Sequence, residues 1–198
     1  MFKRIKKSSR SHSEFFQAQH RFEHWYVDNQ IYFITARCRE RFPAFTSEQA
    51  KAVFWKQLES CCRDAGFVPI VATLMDNHYH LLGYNRSGNA LKRMMQRLHG
   101  STAKLVNDLL PERRTEFWRD AKGREYFDGC IRDALQFRRA YRYTLRQAVR
   151  HGIAMDWKAY PHTRVWVELE PALKRALELD ALMPSIPYKR YDGGRSAR

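Results

Sequence analysis

Hydrophobic positions along this chain alternate between two periods, and the switches mark out its elements. Residues 25–38 (WYVDNQIYFITARC) alternate around β-branched and aromatic side chains and predict a strand, with Asp28-Asn29 as a candidate hairpin turn. Thr46 stands three residues before Gln49, a capping-box spacing that predicts a helix start. That helix runs to Ala65, with Gly66 at its C′ position. Residues 67–74 (FVPIVATL) read as a second strand, in which Pro69 marks an edge or a start. Asp76-Asn77 makes a tight turn into a third strand, 78–84. Leu91, Met94, Met95, Leu98, Thr102, Leu105, Val106 and Leu109 then keep a 3/4 spacing, the mark of an amphipathic helix. Gly100 within it is a kink or a point of close backbone approach. Residues 117–127 (FWRDAKGREYF) read as a strand or hairpin about Gly123, and 133–150 as one long basic helix ended by His151-Gly152.

Strand, helix, strand, strand, helix, strand is the ferredoxin-like order of an α+β fold. It predicts an antiparallel sheet with two main helices on one face, leaving the other face free for a ligand or partner. Residues 1–22 are polar and basic and form an expected flexible arm, and 23–166 the domain. Residues 167–198 add a short helix at about 171–182 and a basic tail, SIPYKRYDGGRSAR. No internal repeat is visible.

Charge narrows the function. Across 198 residues, 36 Lys and Arg stand against 21 Asp and Glu, a net +15. An excess of this size points to a polyanion, nucleic acid or an acidic membrane surface. No apolar run approaches the ~18 residues of a membrane span, and the basic N-terminus lacks the apolar stretch of a secretory signal. Nucleic acid is therefore the favoured partner, in a cytoplasmic, nucleoid-associated setting. The four cysteines, Cys38, Cys61, Cys62 and Cys130, form no CxxC pair, so a zinc ribbon is not expected and neither are disulfides.

Two constellations carry chemistry. In Met75-Asp76-Asn77-His78-Tyr79-His80-Leu81-Leu82 the histidines are two apart, so on a strand they project from one face while Tyr79 enters the core. Two parallel imidazoles are half of a divalent metal site; the spacing equally fits a solvated pair at a strand edge. In Tyr141-Arg142-Tyr143-Thr144-Leu145-Arg146-Gln147 the helical period puts Gln136, Arg139 and Arg150 within roughly 40° of Tyr143. Tyr141 lies about 160° away, on the side of Phe137, Thr144, Leu145 and Ala148. Tyr141 is then the core residue, and Tyr143 is displayed on a basic face, four residues before Gln147. A surface tyrosine among arginines that bind nothing has the same geometry.

Together, MDNHYHLL, LKRMMQRLHGSTAKLVN, GREYFDGCIRD and YTLRQAVRHGIAMDW resemble segments of the HUH single-strand nucleases and transposases. Among these the chain is most similar to the REP-associated tyrosine transposases, relatives of the small insertion-sequence transposases with one catalytic tyrosine. The resemblance spans about 25–166. It implies the HUH version of the ferredoxin-like fold, with Tyr143 as nucleophile and His78, His80 and Gln147 as ligands of a divalent metal, Mg²⁺ or Mn²⁺. It implies cleavage and transfer of single-stranded or hairpin DNA of the REP type through a 5′-phosphotyrosine, by a monomer or a homodimer. Arg139, Arg146 and Arg150, with Lys92, Arg93 and Arg97 of the preceding helix, are the expected DNA contacts, aided by Lys3, Arg4, Lys6, Lys7 and Arg10. The family commonly has Asn-Pro where this chain has Gln147-Ala148; glutamine keeps the amide oxygen. The alternatives are a non-enzymatic nucleic-acid-binding protein derived from a transposase, and a structural zinc site that pairs the histidines with a cysteine.

Overall fold

The computed structural model describes residues 26–119, 123–169 and 171. The chain forms two units, Met1–Trp166 and Val167–Arg198. Of the second unit only residues 167–169 and 171 are described, with helical backbone at 169 and 171. The expected N-terminal arm, the rest of the expected C-terminal helix and the basic tail lie outside the described residues.

The first unit is an antiparallel five-stranded sheet in the order β4-β1-β3-β2-β5. Its strands are β1 Gln30–Arg37, β2 Val68–Leu74, β3 His78–Asn85, β4 Phe127–Cys130 and β5 Thr163–Val165. The first four reproduce the expected ferredoxin-like arrangement, and β5 extends the edge beyond β2. Helices α1 (Glu48–Ala65) and α2 (Gly88–Asn107) cover one face. There Tyr32, Ile34 and Ala36 of β1 and Tyr79 and Leu81 of β3 meet Phe54, Leu58, Leu91, Met95 and Leu98 in the main core. The period-2 and 3/4 spacings place these side chains together because each element has one apolar face to bury.

Local chemistry sets the ends. Ser47, one residue beyond the expected Thr46, caps α1: its Oγ accepts from Ala50 N–H at 3.2 Å. Gly66 closes α1 in the left-handed conformation at φ 65°. Gly83 has another reason: a Cβ there would lie 2.2 Å from the Phe67 ring, so the core aromatic occupies the space of the missing side chain.

Other expectations need correction. Asp28-Asn29 does not fold a hairpin; Asp28 instead accepts from Gly88 N–H at 2.7 Å and ties the chain before β1 to the start of α2. Helix α2 runs unbroken through Gly100, and a Cβ there would meet no atom within 4 Å, so the glycine marks neither a kink nor a close approach. Leu105 and Leu109 are exposed, while Val106 takes the core position. The fourth strand is not the aromatic 117–127 segment. Phe117 and Trp118 fill the core, Trp118 making a single bridge with Cys38, and β4 follows at Phe127.

The expected long basic helix is two pieces, α3 Ala134–Leu145 and α4 Gln147–Arg150, divided at Arg146 (φ −89°, ψ 12°). Side chains take the carbonyls at the break. Thr73 Oγ1 donates to Thr144 O at 2.7 Å, and Gln147 Nε2 donates to Tyr143 O at 2.8 Å. The Thr73 bond also docks α3 on β2, on the sheet face opposite α1 and α2, so that face is partly covered.

Candidate active site

β3 is hydrogen-bonded to β1 on one side and β2 on the other. Its alternation therefore sends Tyr79 and Leu81 into the helix-covered core and His78 and His80 to the α3 side, as the His-x-His spacing predicts. Both histidines are buried, each with only 4% of its surface accessible. Their rings are perpendicular, with centroids 5.1 Å apart.

Each imidazole is held at Nδ1. Thr35, the β1 residue in register with His80, places Oγ1 2.7 Å from His80 Nδ1. Asn77 Nδ2 donates to Arg41 O at 3.0 Å, which turns its Oδ1 to His78 Nδ1 at 2.7 Å. An amide oxygen only accepts, so His78 Nδ1 carries the proton and Nε2 the lone pair. Anchored Nδ1 atoms leave the Nε2 atoms as donors, the arrangement that orients metal-binding histidines. Burial, then the nearby Arg37 and His151, pushes the His78 pKa down to about 3. Burial, then His78, Arg37, His151 and Arg150, holds His80 well below the ordinary range. Both rings are neutral at physiological pH, the state a ligand requires.

α3 brings Tyr143 onto this pair. Its ring is 5.0 Å from the His80 ring, edge to face, and 5.9 Å from Phe33, which itself stacks on His80. Tyr143 is half-buried and Tyr141 buried, matching the assignment of the two tyrosines by helical angle. The Arg150 guanidinium lies over the Tyr143 ring, 4.7 Å from its centroid, in a cation–π contact. Gln147 is 1% accessible, and its amide nitrogen is engaged by the Tyr143 carbonyl, leaving the amide oxygen as its donor atom.

The structure thus brings His78, His80, Tyr143 and Arg150 together, with Gln147 buried one turn beyond Tyr143 and bonded to its carbonyl. Arg139 and Arg146 are exposed on the same helical segment. Lys92, Arg93 and Arg97 are not part of this cluster: they are exposed on α2, across the sheet, where Arg97 pairs with Asp64. Sequence reasoning missed Thr35, Asn77, Phe33 and His151. The His151 ring centroid lies 5.5 Å from that of His78. Asn77 and His151 were visible only as a turn residue and a helix terminator, and Thr35 needs the strand register to be found.

Two neutral imidazoles with fixed Nδ1 atoms and one amide oxygen fit a hard-to-borderline divalent ion such as Mn²⁺ or Mg²⁺, completed by oxygen ligands. Among the described residues no three of His, Cys, Asp and Glu group around a common metal position. The cysteines there are free thiols: Cys38, Cys61 and Cys62 are buried and Cys130 is half-buried. No described helix is long and apolar enough to cross a membrane.

No curated protein matches this chain. Among solved structures, a REP-associated tyrosine transposase bound to a REP hairpin superposes with a TM-score of 0.59 at 14% identity, covering 90% of this chain and 99% of its own. A structure assigned as a transposase from Deinococcus radiodurans R1 gives a TM-score of 0.44 at 15% identity, covering 61% of this chain and 92% of its own. The first shares the fold described above. Residues 26–143, more than half of the chain and inclusive of both histidines and Tyr143, match the model of the family described as transposase IS200 like, and the chain belongs to that family.

Proposed function

We propose that this protein is a metal-dependent DNA strand transferase that cuts and rejoins single-stranded DNA through Tyr143. The observation that carries the reading is the approach of Tyr143 to His80, 5.0 Å between rings contributed by a helix and a strand far apart in sequence. A binding protein has no use for that approach, nor for two histidines kept neutral and anchored at Nδ1.

In this reading the Tyr143 phenol loses its proton and its oxygen attacks phosphorus in the DNA backbone. The bond from phosphorus to the 3′-oxygen breaks, giving a 5′-phosphotyrosine and a free 3′-hydroxyl. The exchange keeps one phosphoester for another, so reversal onto a new 3′-hydroxyl rejoins DNA without a nucleotide cofactor. His78, His80 and the Gln147 amide oxygen would hold the divalent ion, which supplies charge stabilisation at the phosphate when bound. Arg150 offsets negative charge on the tyrosine oxygen, and Arg139 and Arg146 hold phosphates of the strand. The substrate is REP-type hairpin DNA with an unpaired flank, the structural neighbour being bound to a REP hairpin, in keeping with the +15 charge.

The test is direct. The protein is incubated with end-labelled hairpin DNA carrying an unpaired flank, in Mn²⁺ or Mg²⁺. A covalent adduct that survives denaturant and maps to Tyr143 is expected, and excess chelator should remove it. DNA binding without any adduct in either metal would leave the non-enzymatic alternative as the reading.

A further inference from the structure

A cleft of about 410 Å³ lies against α3 and α4. Arg142, Arg146, Asp156 and Trp157 line it, with Leu145 and Val149 from the helical segments. Its rim carries Met155, an apolar side chain with 99% of its surface accessible. Lys158 Nζ lies 5.7 Å from the Trp157 ring centroid. An exposed thioether and a half-buried indole among cations are a poor surface for water alone and a good one for a flat, anionic partner.

The mixture of charges makes the choice of ligand. Arg142 and Arg146 suit a phosphate. Asp156 repels a phosphate but accepts hydrogen bonds from the exocyclic amine of a base. The Trp157 face suits stacking on an unpaired base, which every base can do. A bare anion matches only half of this lining, whereas one nucleotide matches all of it, and the volume lies within the ~300–1,000 Å³ of small-molecule sites. Position supports the same ligand. Arg142 is the neighbour of Tyr143, turned about 100° around the helix from it. Arg146 stands three residues after Tyr143, so the two arginines flank it along the helical segment.

We propose that this cleft holds one unpaired nucleotide of the DNA strand next to the phosphate that Tyr143 attacks, its base on Trp157 and its phosphate on Arg142 and Arg146. The inference rests on the strand-transferase reading and adds to it a site that fixes where along the strand the cut falls. Trp157 is a specificity residue here and takes no part in bond breaking.

The experiment uses the full chain and two hairpins of the same stem, one with an oligothymidylate flank and one blunt. Trp157→Ala should weaken binding of the flanked hairpin about tenfold, Trp157→Phe should retain most of it, and blunt-hairpin affinity should stay within about twofold. Arg142→Ala with Arg146→Ala should lower both affinity for the flanked hairpin and its salt dependence. With wild-type protein, 5-iodo-deoxyuridine scanned through the flank should photo-crosslink to Trp157 or Met155 from one position next to the cleavage point. Cleavage by the wild type with crosslinks confined to other residues, or equal losses on both hairpins in Trp157→Ala, would overturn the cleft assignment and leave the strand-transferase reading standing. Absence of both an adduct and a difference between the two hairpins in the wild type would overturn both.

Discussion

Successive residues of β3 each place a histidine and a tyrosine ring in contact, one pair on each face of the sheet. On the α1 and α2 side, Tyr79 Oη meets His99 Nε2 at 2.9 Å in a core that excludes water, and Trp118 stacks on His99. On the α3 side, His80 meets Tyr143 edge to face, with Thr35 on the imidazole Nδ1 and Arg150 over the phenol ring. The residue types are the same. In the first pair the phenol oxygen is consumed by the imidazole, and burial raises the Tyr79 pKa well above its ordinary value. In the second the imidazole is held by another residue, the phenol is half-open, and the neighbouring charge is positive. On the proposed function, the difference in role follows from which partner occupies the ring nitrogen and whether water reaches the phenol, not from pairing tyrosine with histidine.

The sharpest way to break this contrast is to remove one oxygen from each pair. Tyr143→Phe should lower adduct formation by more than about 10³-fold on a denaturing gel while hairpin binding stays within about tenfold. Tyr79→Phe should leave adduct formation in place. Cleavage lost in the second variant and kept in the first would exchange the two roles.

The anchors come next. Thr35→Val or Asn77→Ala should weaken Mn²⁺ binding by about 10- to 100-fold in a calorimetric titration, with the thermal transition little changed. Unaltered Mn²⁺ affinity in both would mean the Nδ1 partners do not orient ligands. Gln147→Leu should weaken Mn²⁺ binding about tenfold. Gln147→Glu should hold or raise it through added charge yet slow cleavage by repelling the phosphate. His151→Ala should change Mn²⁺ affinity less than Gln147→Leu, and the reverse ranking would make His151 the third ligand.

The smallest effects belong to the closed side. Tyr79→Phe removes the hydroxyl bonded to His99 Nε2 in a dry core and should cost about 1–3 kcal/mol in denaturant unfolding. Burial pushes the Cys38 and Cys62 thiols up to about 12, so little thiolate forms at pH 8. Ellman's reagent should label them only as fast as the protein unfolds, and prompt labelling of either would show that this side opens.

Much of this was legible in the chain because it depends on short periods. A two-residue period placed His78 and His80 on one face, and a 3.6-residue period separated Tyr141 from Tyr143. What the chain concealed depends on partners distant in sequence. The break at Arg146 arises where Thr73, on β2, takes the Thr144 carbonyl and where Gln147 folds back on Tyr143. Strand β4 was misplaced because Phe117 and Trp118 have a strand's composition but are drawn into the core, whereas the half-buried FDGC edge has no pattern to read. Thr35 became a site residue only through its register opposite His80. The family model also ends at Tyr143, so Gln147 rests on residue chemistry and its hydrogen bond.

The hydroxyl of Thr73 has one proton, and that proton goes to the Thr144 carbonyl, so Thr163 Oγ1, 3.1 Å away, must donate to Thr73. Three threonines thus form a one-way relay from edge strand β5 to the residue beside Tyr143. An edge strand is the part of a sheet most easily peeled or re-paired. Here that margin shares the hydrogen bonds that hold α3 to the sheet, so the position of Tyr143 depends on a strand that contributes no residue to the histidine pair.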